Sequence, residues 1–498
     1  MSAGAGIAPG SRRPPRVVII GAGVAGLSCA HRLQSASRQA RRALQIILLE
    51  ASARPGGVID TEQRDGFLIE GGPDCFISEK PWAIALCREL GIEDQLIGTN
   101  PSCRRSYVLR RGRIMPIPEG YQLMAPGRLM PFATSPILSI GGRLRAACDL
   151  ILPRGRPVAD ESLASFVRRR FGAEVLEGLA QPLLAGIYNA DPEQLSLRAT
   201  MPRFLDMERN HRSVILALLL ARWRGRTASA GVSGARYSLF MTLKDGLGAL
   251  VERLSGGLAV GTLRPRTEVA TVERGTPAVG DAGTSAPWHI TTAAGEGITA
   301  DAVVLAMPAH AAGRLLTRLD PALAQELQAI PYGTSVTVSL GYRQADLPRP
   351  LNGFGFVVPR TEKRSLIACS LSSVKFAGRA PDGMILLRSF LGGPAVQASG
   401  GDPARLEAMV RHDLGEILGI RGDPMVSRTC VWPQAMAQYA VGHLERVQSI
   451  DARVARHPGL ALAGNGLRGV GIPDCVHSGQ LAADALLDVI ASPASAAR

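Results

Sequence analysis

Apolar residues along the chain follow two patterns, one typical of strands and one typical of helices. Near the N terminus, the β-branched run Val17 to Ile20 predicts a buried parallel strand, and Ile46 to Leu49 predicts a second one after a helix of small residues. Strand patterns return in Leu263 to Glu273, in Trp288 to Ala312 and from Ser335 to about Leu391. The chain therefore opens with a strand, a helix and a strand, and it continues with β-rich segments.

Helical spacing dominates the middle of the chain, from about 120 to 222, and recurs at 403–419. The longest apolar run, Val214 to Ala221, is about eight residues long, well short of a membrane-spanning helix. It predicts a buried or groove-lining helix, and a helix dipping into a membrane surface is the alternative. The polar, glycine-containing stretches Arg224 to Ala235 and Gly275 to Pro287 predict linkers.

The turn after the first strand carries the most informative spacing. Gly21, Gly23 and Gly26 stand in a G-x-G-x-x-G pattern, in which the first glycine permits the tight turn, the second admits a pyrophosphate and the third allows close helix packing. Glu50, at the end of the second strand, is placed to accept a hydrogen bond from a ribose hydroxyl. The ordered set predicts a dinucleotide site. A structural βαβ unit with an empty crevice is the alternative.

The net charge of the protein limits the kinds of partner that it is expected to bind. Lys plus Arg exceed Asp plus Glu by 14, and the sequence pI is about 10.0. The arginines are scattered and only 4% of residues are aromatic, so the sequence predicts no nucleic-acid surface. A polyanionic small substrate or attraction to anionic lipid fits this charge, and a coding bias toward arginine is the alternative explanation.

Cysteine and histidine positions give no sign of a metal site. The eight cysteines form no C-x-x-C pair, which predicts free, mostly buried thiols in a reducing compartment. His477 is interpreted as a capping or packing residue rather than a base. Residues 1–15 lack the apolar core of a signal peptide and predict a disordered leader, so we expect a cytoplasmic protein.

Two further segments resemble the amine oxidase-like flavoproteins. Arg54 and the pair Gly56-Gly57 follow Glu50, the motif DGFLIEGGPDCF spans 65–76, and a strand, a glycine-rich turn and a helix starting near Asp474 close the chain at 460–486. The resemblance implies FAD as cofactor, with the N-terminus of the last helix facing the flavin pyrimidine oxygens. The expected cofactor-binding residues are Gly21, Ala22, Gly23, Val24, Ala25, Gly26, Glu50, Ala51, Arg54, Gly57, Val58, Gly72, Pro73, Asp74, Cys75, Val269, Asn465, Val470, Gly471 and Ile472.

The middle of the chain is similar to one group within that superfamily, the oxygen-dependent porphyrinogen oxidases of haem synthesis. The segments that carry this resemblance are GPDCFISEKP (72–81), SYVLRRGRIMPIPEG (106–120), 129–154, EGLAQPLLAGIYNADPEQLSLRATMPRF (177–204), RNHRSVI (209–215) and KDGLGALVERL (244–254). The resemblance implies removal of six electrons and six protons from a porphyrinogen, with O2 as acceptor and peroxide as product. Hydride transfer to the flavin then requires no catalytic side chain.

Residue by residue, the resemblance implies four substrate contacts. Gly186 is expected beside the porphyrinogen core, or alternatively as a helix C-cap, and Phe376 is expected beside a pyrrole ring, or alternatively in the core. Lys80 is expected near the flavin-side pocket, or at an exposed helix end, and Arg105 is the candidate propionate clamp. This chain has Ala190 where the family usually has glycine, which affects the local turn.

The expected architecture combines α/β and α+β parts. A discontinuous Rossmann-like FAD-binding domain of ββα layers holds an inserted mixed-sheet substrate domain and a helical middle. The predicted boundaries are a leader at 1–15, FAD-binding segments at 16–105, 236–315 and 456–490, a helix-rich substrate region at 106–235, a substrate-binding segment at 316–455 and a tail at 491–498.

Three functions remain open at this stage. A porphyrinogen oxidase acting on coproporphyrinogen III comes first, with protoporphyrinogen IX as the alternative substrate. The second is another flavin oxidase or desaturase, and the third is a non-catalytic FAD-binding protein of the haem pathway. Peripheral membrane contact and hand-over of the porphyrin to ferrochelatase are open alternatives for its partners.

Overall fold

The computed structural model describes residues 13–155, 158–224, 239–275, 287–348 and 352–491. Most of the predicted leader, the linker after Arg224, the loop after Gly275 and the tail lie outside these ranges. The strands are β1 (Arg16–Ile20), β2 (Gln45–Leu49), β3 (Thr61–Arg64), β4 (Phe67–Glu70), β5 (Phe76–Ile77), β6 (Leu96–Gly98), β7 (Ser106–Arg110), β8 (Arg113–Pro116), β9 (Tyr121–Gln122), β10 (Ala125–Pro126), β11 (Phe240–Leu243), β12 (Leu263–Arg264), β13 (Val269–Arg274), β14 (Trp288–Thr292), β15 (Gly297–Ala300), β16 (Ala302–Leu305), β17 (Tyr332–Arg343), β18 (Gly355–Val357), β19 (Leu366–Leu371), β20 (Met384–Leu391), β21 (Val426–Ala437) and β22 (Leu460–Leu462).

The helices alternate with the strands at both ends of the chain and cluster in the middle. They are α1 (Val24–Ala40), α2 (Trp82–Glu89), α3 (Leu129–Ala133), α4 (Ile140–Ala147), α5 (Leu163–Phe171), α6 (Ala173–Val175), α7 (Gln181–Tyr188), α8 (Leu197–Thr200), α9 (Pro202–His211), α10 (Val214–Trp223), α11 (Gly248–Gly256), α12 (Ala309–Leu316), α13 (Pro321–Gln328), α14 (Ser372–Lys375), α15 (Gly393–Ser399), α16 (Pro403–Leu418), α17 (His443–Val454) and α18 (Ile472–Ala491).

A parallel sheet in the order β12-β2-β1-β16-β22 forms the centre of one half of the molecule. Its strands come from the start, the middle and the end of the chain. Alternate residues of β1 point to opposite faces. Val17 and Ile19 pack into a core with α1 and α18, whereas Val18 and Ile20 pack against the antiparallel strands β13, β14 and β15. These layers confirm the ββα flavin-type architecture and its discontinuity along the sequence.

A mixed sheet in the order β21-β17-β20-β19-β18-β7-β8 forms the second half. β7 pairs in parallel with β18, and the other neighbouring strands run antiparallel. One face of the sheet buries apolar residues of β17 and β20 against α15 and α16. The opposite face directs Thr337 and Arg388 toward the Gly71–Cys75 segment and packs Leu386 against Phe67 and Ile69. The two halves therefore meet through both polar and apolar groups.

The helical middle packs around its own apolar core, which includes residues of α5, α7, α9 and α10. Val214, Ile215, Ala217 and Leu218 of α10 are buried, so this run forms a packed helix, as predicted. Arg170 and Asp149, both almost fully buried, pair beneath it. Among the described residues, no helix combines the length and apolarity needed to cross a membrane.

Candidate active site

In the turn after β1, Gly21, Gly23 and Gly26 each have a different role. Gly21 has φ of 103°, and a Cβ there would lie 2.4 Å from the carbonyl oxygen of Ala306. A Cβ on Gly26 would lie 1.9 Å from the carbonyl oxygen of Gly21, so this position needs glycine for helix packing. A Cβ on Gly23 would meet no atom within 4 Å. Gly23 therefore borders open space at the start of α1, where a pyrophosphate fits.

The loop after β2 folds against this turn. Gly56 pairs with Gly23, and a Cβ on Gly57 would lie 3.4 Å from the Cα of Gly23. The Arg54 guanidinium donates to the carbonyl oxygens of Gly57 and Ile59, at 3.0 and 2.8 Å. Arg54 thus stabilises the loop through hydrogen bonds to the loop's carbonyl oxygens. Ala51 and Val58 are exposed beside it.

Glu50 lies at the carboxyl end of β2, as the sequence predicted. One carboxylate oxygen accepts from the backbone N–H of Ala22 at 2.7 Å, and the other accepts from the N–H and hydroxyl of Ser52. Since a carboxylate offers about four acceptor positions, a ribose hydroxyl could still donate to it. Val269 opens β13 on the neighbouring layer and stays partly exposed.

The Gly72–Cys75 segment lies between the two halves of the molecule. A Cβ on Gly72 would lie 1.7 Å from the carbonyl oxygen of Val58, so only glycine fits there. The Asp74 carboxylate accepts from Lys375 Nζ at 3.0 Å and lies 3.5 Å from the Arg388 guanidinium. Asp74 therefore faces the mixed sheet, and its side chain ties that sheet to the cofactor-binding loops.

Electrostatic interactions keep the Asp74 carboxylate and the Lys375 ammonium charged. Burial alone would raise the pKa of Asp74, but Lys375 and Arg388 outweigh it and hold that pKa well below its usual range. Burial would lower the pKa of Lys375, and Asp74 instead raises it above normal. Burial and the Asp74 charge raise the pKa of Cys75 to about 12, so this thiol stays protonated at neutral pH.

The closing turn, Gly464–Gly471, is held by three side chains of neighbouring elements. Tyr439 donates to the carbonyl oxygen of Asn465 at 2.7 Å and accepts from the N–H of Gly469 at 2.6 Å. Tyr332 Oη lies 3.3 Å from Asn465 Oδ1, and His443 Nε2 lies 2.9 Å from the carbonyl oxygen of Leu467. Val470 and Gly471 then lead into α18, which begins at Ile472, two residues before the predicted start.

Lys80 is paired with the first turn of α18. Its Nζ lies 2.6 and 2.7 Å from the two carboxylate oxygens of Asp474. The Asp474 side chain is 9% exposed and that of Lys80 is 43% exposed. The structure thus gives Lys80 a protein carboxylate as partner, where the sequence had suggested a substrate carboxylate. His477, one turn further along, stacks on Trp82 at 4.0 Å, which agrees with a packing role.

Gly186 lies within α7, and its backbone is exposed. A Cβ there would reach only Ala368 and Val357, at the ordinary contact distances of 3.8 and 3.9 Å. The C-cap interpretation of Gly186 is wrong, because the helix continues to Tyr188 and Asn189 adopts the left-handed capping conformation. The protein itself does not demand glycine at 186, which leaves room there for a ligand. Ala190 follows the cap and is buried, so its methyl group is accommodated.

The other two predicted substrate residues lie apart. The Phe376 ring is 1% exposed and sits 4.9 Å from Lys375 Nζ, so it is a core aromatic with no free face for a ligand. Arg105 is exposed at the start of β7, and its carbonyl oxygen accepts from the N–H of Phe354. Because β7 pairs with β18, Arg105 lies beside Phe354, three positions before Val357, which borders Gly186.

The sequence did not indicate several residues that the structure places at the site. Lys375 and Arg388 stand in strands and helices far from the glycine motifs, and Tyr439 lies in a segment without a recognisable pattern. The Arg388 guanidinium also stacks at 4.6 Å on the partly exposed ring of Phe390, on the sheet face nearest Ala368. The sign of Arg388 in the sequence was an arginine, followed by Ser389, within the otherwise apolar strand β20.

The site fits FAD on its own geometry, and comparison with known proteins agrees. The family described as "Flavin containing amine oxidoreductase" matches residues 24–487. The coproporphyrinogen III oxidase of Bacillus subtilis (strain 168) is 34% identical over 476 residues, covering 94% of this chain and 97% of that protein. The chloroplastic protoporphyrinogen oxidase of Nicotiana tabacum is 30% identical over 481 residues, covering 92% and 83%.

A solved structure agrees over the same span. The protein from Exiguobacterium sp. 255-15, which is named provisionally as a protoporphyrinogen oxidase, is 30% identical with a TM-score of 0.82, covering 96% of this chain and 99% of that one. The predicted FAD cofactor and the resemblance to this superfamily are confirmed. With its glycine cradle, its discontinuous ββα domain and a family match over nearly its whole length, the chain belongs to the flavin-containing amine oxidoreductases and uses FAD as its cofactor.

Proposed function

We propose that this protein is an FAD-dependent oxidase that converts coproporphyrinogen III to coproporphyrin III in haem biosynthesis, with O2 as acceptor and H2O2 as product. The observation that carries the proposal is the 34% identity to the Bacillus subtilis coproporphyrinogen III oxidase across 97% of that protein. The coproporphyrinogen III oxidase of Propionibacterium freudenreichii subsp. freudenreichii supports it at 34% identity over 95% of this chain.

FAD, when bound, supplies the hydride acceptor, so the protein has to position the substrate and exclude water. The exposed backbone of α7 at Gly186, which lies near Ala368 and Val357 on the mixed sheet, would face the substrate. A flat macrocycle could lie along this surface without meeting a side chain from 186. Ile187, 44% exposed, would add apolar contact beside it.

Substrate choice depends on the cations available to the propionates. Coproporphyrinogen III carries four carboxylates and protoporphyrinogen IX carries two. Arg105 at the start of β7 and Arg203 in α9 form no ion pair among the residues that the structure describes, so both are available to substrate carboxylates. Lys80, in contrast, already neutralises Asp474. We therefore assign propionate contact to Arg105 first, and protoporphyrinogen IX remains the alternative substrate.

Steady-state assays with both porphyrinogens test the proposal. We expect a higher kcat/KM with coproporphyrinogen III, and an Arg105→Gln variant that loses kcat/KM mainly through KM. A preference for protoporphyrinogen IX of more than about tenfold, or about 1.4 kcal/mol, would reverse the substrate order.

Anaerobic mixing separates catalysis from mere flavin binding. Excess porphyrinogen should bleach the bound flavin, and admitted O2 should restore its absorbance. Flavin that stays oxidised with porphyrinogen but bleaches with an amine would indicate another oxidase of the same family. Flavin that stays oxidised with both would indicate a non-catalytic protein.

We place the enzyme in the cytoplasm with peripheral membrane contact, and we propose ferrochelatase as the recipient of its porphyrin. The support for membrane contact is an apolar surface in the helical middle. Ile140 and Leu144 lie one turn apart on α4 and are 70% and 65% exposed, and Ile151 is 74% exposed. Arg143, between them in sequence, is partly exposed and donates to the carbonyl oxygens of Ala133 and Ser139, so the support comes from the apolar side chains. Transfer of porphyrin between the two purified enzymes, against a trap for free porphyrin, tests the hand-over.

A further inference from the structure

The segment Gln438–His443, called the strap below, joins the closing turn to the helical middle. On its cofactor side, the Tyr439 hydroxyl bonds both Asn465 and Gly469. The Tyr439 ring stacks on His443 at 4.0 Å, and the His443 ring reaches Leu467. Two strap side chains therefore contact the closing turn at three alternate positions.

On its other side, the strap is bonded to the residues that follow α7. Gln438 Nε2 donates to the carbonyl oxygen of Asn189, the left-handed cap of α7, at 2.9 Å. The Tyr439 carbonyl oxygen accepts from the N–H of Ser196 at 2.7 Å, and the N–H of Val441 donates to the carbonyl oxygen of Gln194. Tyr439 thus bonds the closing turn with its side chain and the helical middle with its backbone.

The phenol is the group that this geometry requires. One hydroxyl donates to a carbonyl and accepts from an N–H at the same time, which needs a neutral tyrosine. The side chain is 4% exposed, and burial raises its pKa above the normal value, so it stays neutral across the working range. Phenylalanine would keep the stacking on His443 and lose both bonds.

We propose that Tyr439 is a positioning residue that couples FAD loading to the position of α7, the helix that presents Gly186 to the substrate. FAD that fills the closing turn would fix Asn465 and Gly469, and through the strap it would order residues 189–196. The proposal rests on the assignment of Gly464–Gly471 to the FAD site. It concerns the protein's own response to FAD, which is measured without any porphyrinogen.

Tyr439→Phe is the test variant, and Tyr332→Phe is its matched control. Tyr332 also contacts Asn465, and it accepts from the N–H of Ala309, but its hydroxyl makes no bond to the described residues of the helical middle. Both variants should bind FAD about tenfold more weakly in titrations of apoprotein, because each leaves buried polar groups unpaired. Only Tyr439→Phe should also lose the coupling.

Amide hydrogen exchange reads the coupling directly. In the wild type and in Tyr332→Phe, saturating FAD should slow exchange in 189–196 by at least about tenfold, and helix α16, remote from the strap, serves as the internal reference. In Tyr439→Phe at saturating FAD this protection should be much smaller, because only the His443 contact to Leu467 still links the strap to the closing turn. Protection equal to the wild type would overturn the proposal.

A second variant keeps the test decisive if Tyr439→Phe does not fold. Gln438→Leu removes the bond to Asn189 and leaves every bond to the closing turn in place. FAD affinity should stay near the wild-type value, while FAD-induced protection of 189–196 should fall. Full protection in Gln438→Leu together with an unfolded Tyr439→Phe would count against the coupling. A protein that shows the coupling but oxidises no porphyrinogen would refute only the proposed function.

Discussion

Gly23 is the residue whose replacement should separate cofactor binding from folding most cleanly. The protein leaves open space where its side chain would project, so Gly23→Val should fold but place a branched side chain where the pyrophosphate binds. We expect purified Gly23→Val to be colourless and inactive, and to unfold at the temperature of wild-type apoprotein. Stoichiometric FAD in this variant would contradict the assignment of the cradle.

Gly26→Ala is the matched control, three residues away in the same turn. Its Cβ would overlap the Gly21 carbonyl at 1.9 Å, so the apoprotein itself should lose stability, by about 2 kcal/mol or more. Thermal unfolding of both apoproteins compares the two effects. Equal melting temperatures for the two apoprotein variants would contradict the assignment of Gly26 to helix packing and of Gly23 to cofactor binding.

Individual residues also mark the limit of sequence-based prediction. The glycines and Glu50 were predictable because their spacing is local and each serves a backbone need. The partner of Lys80 was not, since Asp474 lies 394 positions away and no periodicity links the two. Phe376 was named by resemblance alone, and the burial of its ring depends on packing that a motif does not encode.

At the scale of elements, the pair Asp74–Lys375 joins the Gly72–Cys75 segment to α14, and it should be strongly coupled. Asp74→Asn would leave Lys375 and Arg388 buried with no carboxylate between them, which typically costs about 3 kcal/mol or more. Adding Lys375→Met should restore part of that loss. Denaturant unfolding of the two single variants and the double variant gives the coupling energy, and additive effects would exclude the pair as a stabilising contact.

The same pair predicts a pH dependence. The folded pKa of Asp74 is depressed, so its contribution is present above the unfolded pKa of about 4 and is lost as the pH falls through the lower folded value. The folded pKa of Lys375 is raised, so Lys375 stays charged through neutral pH. The stability difference between wild type and Asp74→Asn should therefore be constant from about pH 5 to 9 and shrink in acid. A difference that grows in acid would contradict this charge state.

Elements were predictable where one periodicity held over many residues. β1, β2 and α16 lie within two residues of their predicted limits, and α18 begins two residues before its predicted start. The parallel pairing of β7 with β18 was not predictable, because it joins residues about 250 positions apart through backbone bonds that carry no sequence signal. The shape of the mixed sheet, and with it the place of Arg105, follows from that pairing.

At the scale of the whole molecule, the apolar surface on α4 predicts binding to vesicles. The wild type should co-sediment with vesicles rich in anionic phosphatidylglycerol, and an Ile140→Glu/Leu144→Glu variant should not, since both side chains are mostly exposed and their loss leaves the core intact. Val260→Glu is the control, because Val260 is fully exposed in the loop before β12. Equal binding by all three proteins would remove this surface from the proposal.

The overall architecture was predictable from two cofactor motifs at opposite ends of the chain, which implied one domain assembled from distant segments. The contact between the half with the parallel sheet and the half with the mixed sheet was not predictable. The contact of β17 and β20 with Gly71–Cys75 depends on side-chain orientation across a sheet, and on buried charges such as Arg388 that composition cannot locate.

The parallel sheet is completed by β22 beside β16, and α18 packs along α1 at the cofactor cradle. Both elements follow all the other described strands and helices along the chain, so they leave the ribosome after them. Until then the edge of β16 is unpaired and one wall of the cradle is missing, so the nascent chain has to keep an apolar surface covered by other means. FAD should therefore be acquired only after α18 has emerged, and a chain terminated before Leu460 should lack flavin and be prone to aggregate.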